Sequence, residues 1–273
     1  MNERIFRRTF LCFLYAAAAL IFFLPSSNPS AYSAQVTLQW DPNEGEGERV
    51  AGYRVYYGTE SGDYENFIDV GHRTECEISG LEKGKTYFFA AKAYDAAGLE
   101  SDFSNEVGIY EKFLFPGWNL ISLPLQPFDT SIGEVLKSIS TNVYVVMGFK
   151  NQNALFYLPG DLASNTLSTM EAGVGYWIAM FDQGTLRIAG NLPSKSLELL
   201  LGSNIVGYSN TNAVPPSIAL QGLDQKVVSV TTYEDREWKA YYPLNPGEST
   251  LFQFNPGNAY YIEMNQNATW NIP

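Results

Sequence analysis

Residues 143–159 and 227–243 align without a gap at a separation of 84 residues, pairing Tyr157 with Tyr241 and Pro159 with Pro243. The register continues downstream through Thr166-Leu167 with Thr250-Leu251, Gly173 with Gly257, Tyr176 with Tyr260, Trp177 with Tyr261, Ile178 with Ile262 and Met180 with Met264. Similarity at one fixed offset marks a duplicated supersecondary unit. Upstream, one inserted residue shifts the match, so that Gly117-Trp118-Asn119-Leu120-Ile121-Ser122 faces Gly202-Ser203-Asn204-Ile205-Val206-Gly207. Leu136 with Leu220 and Ile139 with Leu223 mark a shared element between.

Each copy reads in one order: a strand into Gly-x-Asn, a short helix, two strands joined by a polar turn, and a last strand. In the first copy Ser131 is placed to cap a helix over 132–139, whose Ile132, Val135, Leu136 and Ile139 share one face. In the second, Pro215 and Pro216 fit only the first turn before Ser217 to Leu223. Lys150-Asn151-Gln152-Asn153 and Glu234-Asp235-Arg236-Glu237 are polar links between apolar strands, which is hairpin logic. The two copies resemble the tandem "GWNLIS … GYWI" repeats near the C-termini of large secreted bacterial proteins. That resemblance implies location and architecture rather than an activity.

Upstream of the duplication, short alternating segments are separated by Gly, Asp and Asn, the pattern of an antiparallel sheet with one wet face. Strands are expected over 36–40, 52–58, 75–81 and 86–95. In the last of these Tyr87, Phe89, Ala91 and Ala93 share one face. Trp40, the corner Leu81-Glu82-Lys83-Gly84-Lys85-Thr86-Tyr87 and the closing Ala93-Tyr94-Asp95 to Val107 segment resemble a fibronectin type III domain. The resemblance implies a seven-stranded sandwich in which the Tyr87 hydroxyl ties back to the loop before its strand. It also implies spacing, display or adhesion rather than chemistry, and no Arg-Gly-Asp tripeptide points to integrin-type adhesion.

Arg4, Arg7 and Arg8 precede an uncharged run of 15 residues from Phe10 to Leu24, followed by small residues at Ala31, Ser33 and Ala34. That is a signal-peptide layout, shorter than the roughly 20 residues of a settled transmembrane helix. An uncleaved signal anchor is the alternative, and it is the one way the chain would hold a membrane. The expected organisation is therefore a signal peptide over 1–34, a fibronectin type III domain over 35–110, and repeats over 111–190 and 191–273. The fold class is mainly β: a sandwich followed by a duplicated small β-rich (α+β) unit.

A formal charge of -12 and no basic patch argue against nucleic acid as a partner. Cys12 lies in the leader and leaves Cys76 alone, so no internal disulfide forms in the mature chain. With His72 the only histidine, and no Gly-x-Ser-x-Gly elbow, phosphate loop or dinucleotide fingerprint, no catalytic residue, cofactor or metal ligand is assigned. The acidic loop 41–48 could offer oxygen ligands but lacks EF-hand order, and it reads as a solvated turn.

Flat rings on an exported β module are instead the candidates for ligand contact: Tyr157, Trp177, Trp238, Tyr241, Tyr242 and Tyr261. In a strand Tyr176 and Trp177 point to opposite faces, so one ring of each such pair lies outside the core or under a neighbour. Packing against the other repeat is the plainer expectation. The functional expectation is a noncatalytic binding or scaffolding protein, exported to the cell envelope or beyond, with a protein or polysaccharide partner at the cell surface. Carbohydrate recognition by the repeat aromatics is the alternative. A small glycoside hydrolase using two of the many acids is a more distant one, since two carboxyls would have to face each other across a cleft.

Overall fold

Alternation of apolar and polar residues becomes strand along most of the chain, which is mainly β. The structure is a computed structural model that describes residues 14–16, 34–42, 50–150, 152–161, 163–223 and 225–273. It divides into two units, Met1–Ile109 and Tyr110–Pro273.

The first unit contains β1 (Leu14–Ala16), β2 (Ala34–Trp40), β3 (Val50–Gly58), β4 (Asn66–Gly71), β5 (Glu75–Leu81), β6 (Thr86–Asp95) and the start of β7 (Val107–Leu114). β2 lies antiparallel between β1 and β5, and β3 lies antiparallel between β4 and β6. All four strands expected from alternation are present. β4 was not among them, because Phe67 is exposed and only Ile68 and Val70 turn toward the core, so its apolar pattern is short. Leu38, Trp40, Tyr53, Val55, Ile78, Leu81 and Phe89 form the sandwich core, with Trp40 edge-on to Tyr53 at 5.7 Å. Burial of each such side chain contributes on the order of 1.5 to 3 kcal/mol.

Apart from Leu14–Ala16 and Ala34, the leader lies outside the described residues, as does the acidic loop beyond Asp41 and Pro42. Among the described residues no group of three or more His, Cys, Asp or Glu is placed to hold a metal ion, and no helix is long and apolar enough to cross a membrane.

The second unit adds β8 (Gly117–Ile121), β9 (Gln126–Pro127), β10 (Val143–Lys150), β11 (Asn153–Tyr157), β12 (Tyr176–Met180), β13 (Gly184–Asn191) and β14 (Ser196–Leu199). These are followed by β15 (Gly202–Gly207), β16 (Val227–Glu234), β17 (Glu237–Tyr241), β18 (Ala259–Met264) and β19 (Ala268–Asn271). Two four-stranded antiparallel sheets result, ordered β11-β10-β12-β8 and β17-β16-β18-β15. The strand order is the same at the 84-residue offset, and so is the irregularity, a register slip at Val143/Val145 and at Val227/Ser229. Gln152 and Arg236 take positive φ, 61° and 68°, at equivalent places in the two hairpin turns.

The expected helix over 132–139 is shorter than its pattern. α1 spans Ile132–Val135 and a 3₁₀ turn covers Lys137–Ile139, with no side-chain cap from Ser131. The Ser131 backbone N–H instead donates to Asp129 Oδ1 at 2.8 Å, and the Ser131 carbonyl accepts the N–H groups of Glu134 and Val135. The apolar face is nevertheless used as expected, since Ile132, Val135, Leu136 and Ile139 are all buried. In the second copy α2 covers only Pro216–Ala219, begun by Pro215.

Glu82 N–H donates to the Tyr87 hydroxyl at 3.1 Å, closing the corner before β6. Tyr87→Phe is therefore expected to lower the stability of the first unit by about 1 kcal/mol, read as a lower denaturant midpoint. An unchanged midpoint would mean that water serves Glu82 equally well.

Candidate functional site

The Gly-x-Asn motif opens each copy by a local necessity. Gly117 and Gly202 take φ of 85° and 88°, which a side chain resists, and the Asn two residues on then bonds backward. Asn119 accepts the Phe115 N–H at 2.9 Å and donates to the Phe115 carbonyl at 2.8 Å; Asn204 does the same to Leu200 at 2.9 and 2.7 Å. Both amides also reach the central strand of their sheet, at Ile178 O and Ile262 O. Farther along, Tyr176 accepts the Glu171 N–H and Tyr260 the Asn255 N–H, each at 2.7 Å. Burial raises the pKa of both phenols, which stay neutral.

The copies meet through contacts that repeat with the roles exchanged. Gly207 N–H donates to Gly173 O at 3.0 Å, and Ser122 N–H donates to Gly257 O at 3.0 Å. Single bridges join Val174 to Val206 and Asn258 to Ile121. This is an isologous interface within one chain: each copy offers the same patch to the other. Equivalent residues therefore approach each other at its centre. The Cβ of Ala259 is 3.1 Å from where a Cβ on its counterpart Gly175 would lie, and Ser122 Cβ is 2.7 Å from the corresponding point on Gly207.

Trp177 and Tyr261 complete that line, with Trp177 Nε1–H donating to the Tyr261 hydroxyl at 2.7 Å. The outward ring of each Tyr-Trp or Tyr-Tyr pair thus packs on the other copy, while Tyr176 and Tyr260 fill the two cores. Around them a ring cluster builds up on one side. Trp177 lies 6.0 Å from Trp118, 5.5 Å from Tyr233 and 6.0 Å from Trp238, and Trp238 lies 6.0 Å from Tyr261. Trp118 and Trp238 are 45% and 59% exposed, so the cluster has an open outer face.

Of the six candidate aromatics the structure brings Trp177, Trp238 and Tyr261 together. Tyr157 and Tyr241 sit instead at equivalent ends of β11 and β17, opposite Val146 and Val230, and Tyr242 follows just beyond β17. Trp118 and Tyr233 were missed. The available signal was the mismatch of Trp118 with Ser203 in otherwise matched Gly-x-Asn motifs, since a large ring kept in one copy only is not required by the shared core.

Beside the cluster lies a polar network. Lys112 Nζ donates to Asn258 Oδ1 at 2.6 Å, and Asn258 and Asn255 donate to Glu234 Oε1 at 2.6 and 2.7 Å. Lys239 pairs with the other Glu234 oxygen at 2.7 Å. Burial pulls the Lys112 ammonium down to about 8 against the upward pull of Glu234 and Asp235. Burial pushes the Glu234 carboxyl up, but the bonds from Lys239, Asn258 and Asn255 together hold it below the usual carboxylate range. Every polar group here faces a partner of opposite character, which is a structural arrangement. In the first unit burial pushes the Cys76 thiol up, as for an inert core cysteine, and His72 is exposed.

Residues 26–109 match the fibronectin type III domain family, in agreement with the sandwich. A Kelch domain-containing protein of Saccharolobus solfataricus is 35% identical over 72 residues, a match covering 26% of this chain and 9% of that protein. Among solved structures, one titled "Myokine structure" has 22% identity and a TM-score of 0.23, covering 30% of this chain and 95% of the other. A chitinase from Bacillus thuringiensis has 14% identity and a TM-score of 0.25, covering 60% of this chain and 25% of its own. The FN1–FN3 domains of chicken CNTN1 have 10% identity and a TM-score of 0.24, with 93% of each chain covered.

A methyl group on Gly175 would lie 2.6 Å from Ile205 Cγ2 and 3.1 Å from Ala259 Cβ. Gly175→Ala is accordingly expected to destabilise the second unit by about 1 to 3 kcal/mol. Chemical denaturation followed by tryptophan emission reads this, because Trp177 and Trp238 lie at the same junction. Full retention of stability would show that the two copies can shift apart without loss.

Proposed function

We propose that this chain is an exported, noncatalytic binding or scaffolding protein of the cell envelope or extracellular space. Its proposed organisation is a leader over 1–34, a fibronectin type III domain over 35–110, and two GWNLIS/GYWI-type repeats over 111–190 and 191–273. The observation that carries the binding role is the outer face of the ring cluster. Trp118 and Trp238 remain 45% and 59% exposed although they adjoin a well-packed junction. Large exposed rings next to one another are the usual mark of a contact surface.

The same rings favour a carbohydrate as the ligand. Tryptophan faces stack on the apolar face of a sugar ring, and Trp118 and Trp238 each leave much of a ring open to solvent. Retention of the full chain on a panel of insoluble polysaccharides tests this. Trp238→Ala is the informative variant, because its ring is mostly exposed and its loss leaves the Trp177–Tyr261 bond in place. Retention on at least one polysaccharide, weakened about tenfold or more by Trp238→Ala, is expected. No retention, or equal retention by the variant, would leave a protein partner as the reading. Release of reducing ends by purified protein would instead favour the hydrolase alternative.

Export is tested separately by mass. Protein recovered outside the expressing cell is expected to lack the first 33 or 34 residues. A full-length chain found in the membrane would select the signal anchor.

A further inference from the structure

Because the two copies are related by exchange of roles, each groove on one side of their junction has a sister on the other. One sister is filled. It holds Lys112, Trp118, Tyr233 and Glu234, and only about 80 Å³ of space remains. At the equivalent positions the other side has Leu197, Ser203, Phe149 and Lys150, and the space is about 370 Å³. Ligand pockets fall at about 300–1,000 Å³, so the second groove is large enough for a ligand and the first is not.

The chemistry of the two grooves differs as sharply as their volume. In the filled one, Lys112, Asn258 and Glu234 form a chain of hydrogen bonds. In the open one the same three places are Leu197, Val174 and Lys150, which cannot remake it. The floor becomes apolar, with Val174, Leu197, Phe149 and Ile205 half-buried around it. Lys150, Gln152 and Glu198 sit on the rim. Each rim group already has an anchor: Lys150 pairs with Glu171 at 3.4 Å, Gln152 donates to Leu201 O at 3.2 Å, and Glu198 accepts from Thr269 at 2.8 Å. The rim is thereby held apart rather than folded over the opening.

We propose that this open groove is a binding site for an aromatic side chain of a partner polypeptide. The filled sister shows what the shared backbone frame accommodates: a ring carried by a peptide strand, Trp118 on β8, in a groove that Tyr233 also lines. Ser203 on β15 leaves that place empty, and an indole or phenol from outside replaces the missing ring against Phe149 and Ile205. Burial of an aromatic side chain on an apolar floor is the main attraction. A rim carrying Lys150 and Glu198 together suits the alternating carbonyl and amide groups of a peptide better than a ligand of one charge sign. The site is distinct from the exposed Trp118–Trp238 face and does not depend on what that face binds.

The test uses the full chain titrated with N-acetyl-tryptophanamide, followed by backbone amide resonances. Saturable shifts confined to the region of Val174, Ser203 and Ile205 are expected at millimolar ligand, with none from N-acetyl-alaninamide. Ser203→Trp restores the sister's own ring and is expected to weaken binding about tenfold or more. If that variant does not fold, Leu197→Lys places the sister's charge on the floor and is expected to weaken binding similarly. Absence of saturable shifts in the native chain, equal shifts from the alanine compound, or shifts unchanged by a folded plug variant would each overturn the proposal. Binding of free indole without binding of N-acetyl-tryptophanamide would overturn its assignment to a polypeptide.

Discussion

The exchange of two backbone bonds, Gly207 to Gly173 and Ser122 to Gly257, is the constraint on which the second unit depends. Neither sheet could bury its β8 or β15 edge alone, and an exposed edge strand is a standing template for aggregation. Meeting edge to loop in two symmetric places pairs the C-terminal end of each edge strand with one geometry. The small residues at the centre follow from that closeness. Gly175 faces Ala259 and Gly207 faces Ser122 because the backbones approach until a larger side chain would not fit. An isologous contact doubles each favourable interaction and each clash, so it tolerates little variation at its axis.

Away from the axis, the features held in common by both copies are those that satisfy buried polar groups. Asn119 and Asn204 each join the turn before the edge strand to the central strand, and Tyr176 and Tyr260 each hold a loop N–H that would otherwise be buried without a partner. Losing such a partner costs about 1–3 kcal/mol, more than most surface changes. Apolar core positions can drift in identity, as Met170 has against Phe254 and Leu186 against Trp270, because volume can be rebalanced among neighbours. The hydrogen-bonding residues cannot drift in the same way. The duplication accordingly survives in sequence as scattered matches, with Gly, Asn and Tyr at the hydrogen-bonding places and Leu136/Leu220, Ile178/Ile262 and Met180/Met264 among the core positions that have not drifted.

That difference also sets what is legible in the amino-acid sequence. The strands of the sandwich, the hairpins at Lys150–Asn153 and Glu234–Glu237, and the division of Tyr176 from Trp177 all follow from period-two alternation and turn chemistry, which are local. The helix over 132–139 is shorter than its apolar spacing implies, because that spacing fits a 3₁₀ turn at Lys137–Ile139 nearly as well as α, and the choice is made by packing. Trp177, Trp238 and Tyr261 were legible as outward rings, but their convergence was not, since it arises only when copies 84 residues apart are brought face to face. Lys112 is not legible as a site residue for the same reason, and Trp118 shows itself only through its mismatch with Ser203. Tyr157, Tyr241 and Tyr242 shared the same alternation yet sit at and beyond strand ends, because strand phase fixes the face of a ring and not its distance from the axis.

The asymmetry of the junction follows from its symmetry. Once the axial residues fix the relation of the two copies, residues off the axis occupy two independent copies of one environment, and substitution on one side leaves the other unchanged. Trp118 and Tyr233 with the Lys112–Asn258–Glu234 chain fill one groove and brace the interface on that side. With one side braced, Ser203, Phe149 and Leu197 can leave the other groove open without freeing the copies from each other. A buried chain of charge-assisted bonds is rigid when complete and costly when broken. The filled side therefore ties the two copies together through Lys112, Asn258 and Glu234, a tie that Leu197, Val174 and Lys150 do not make on the other side.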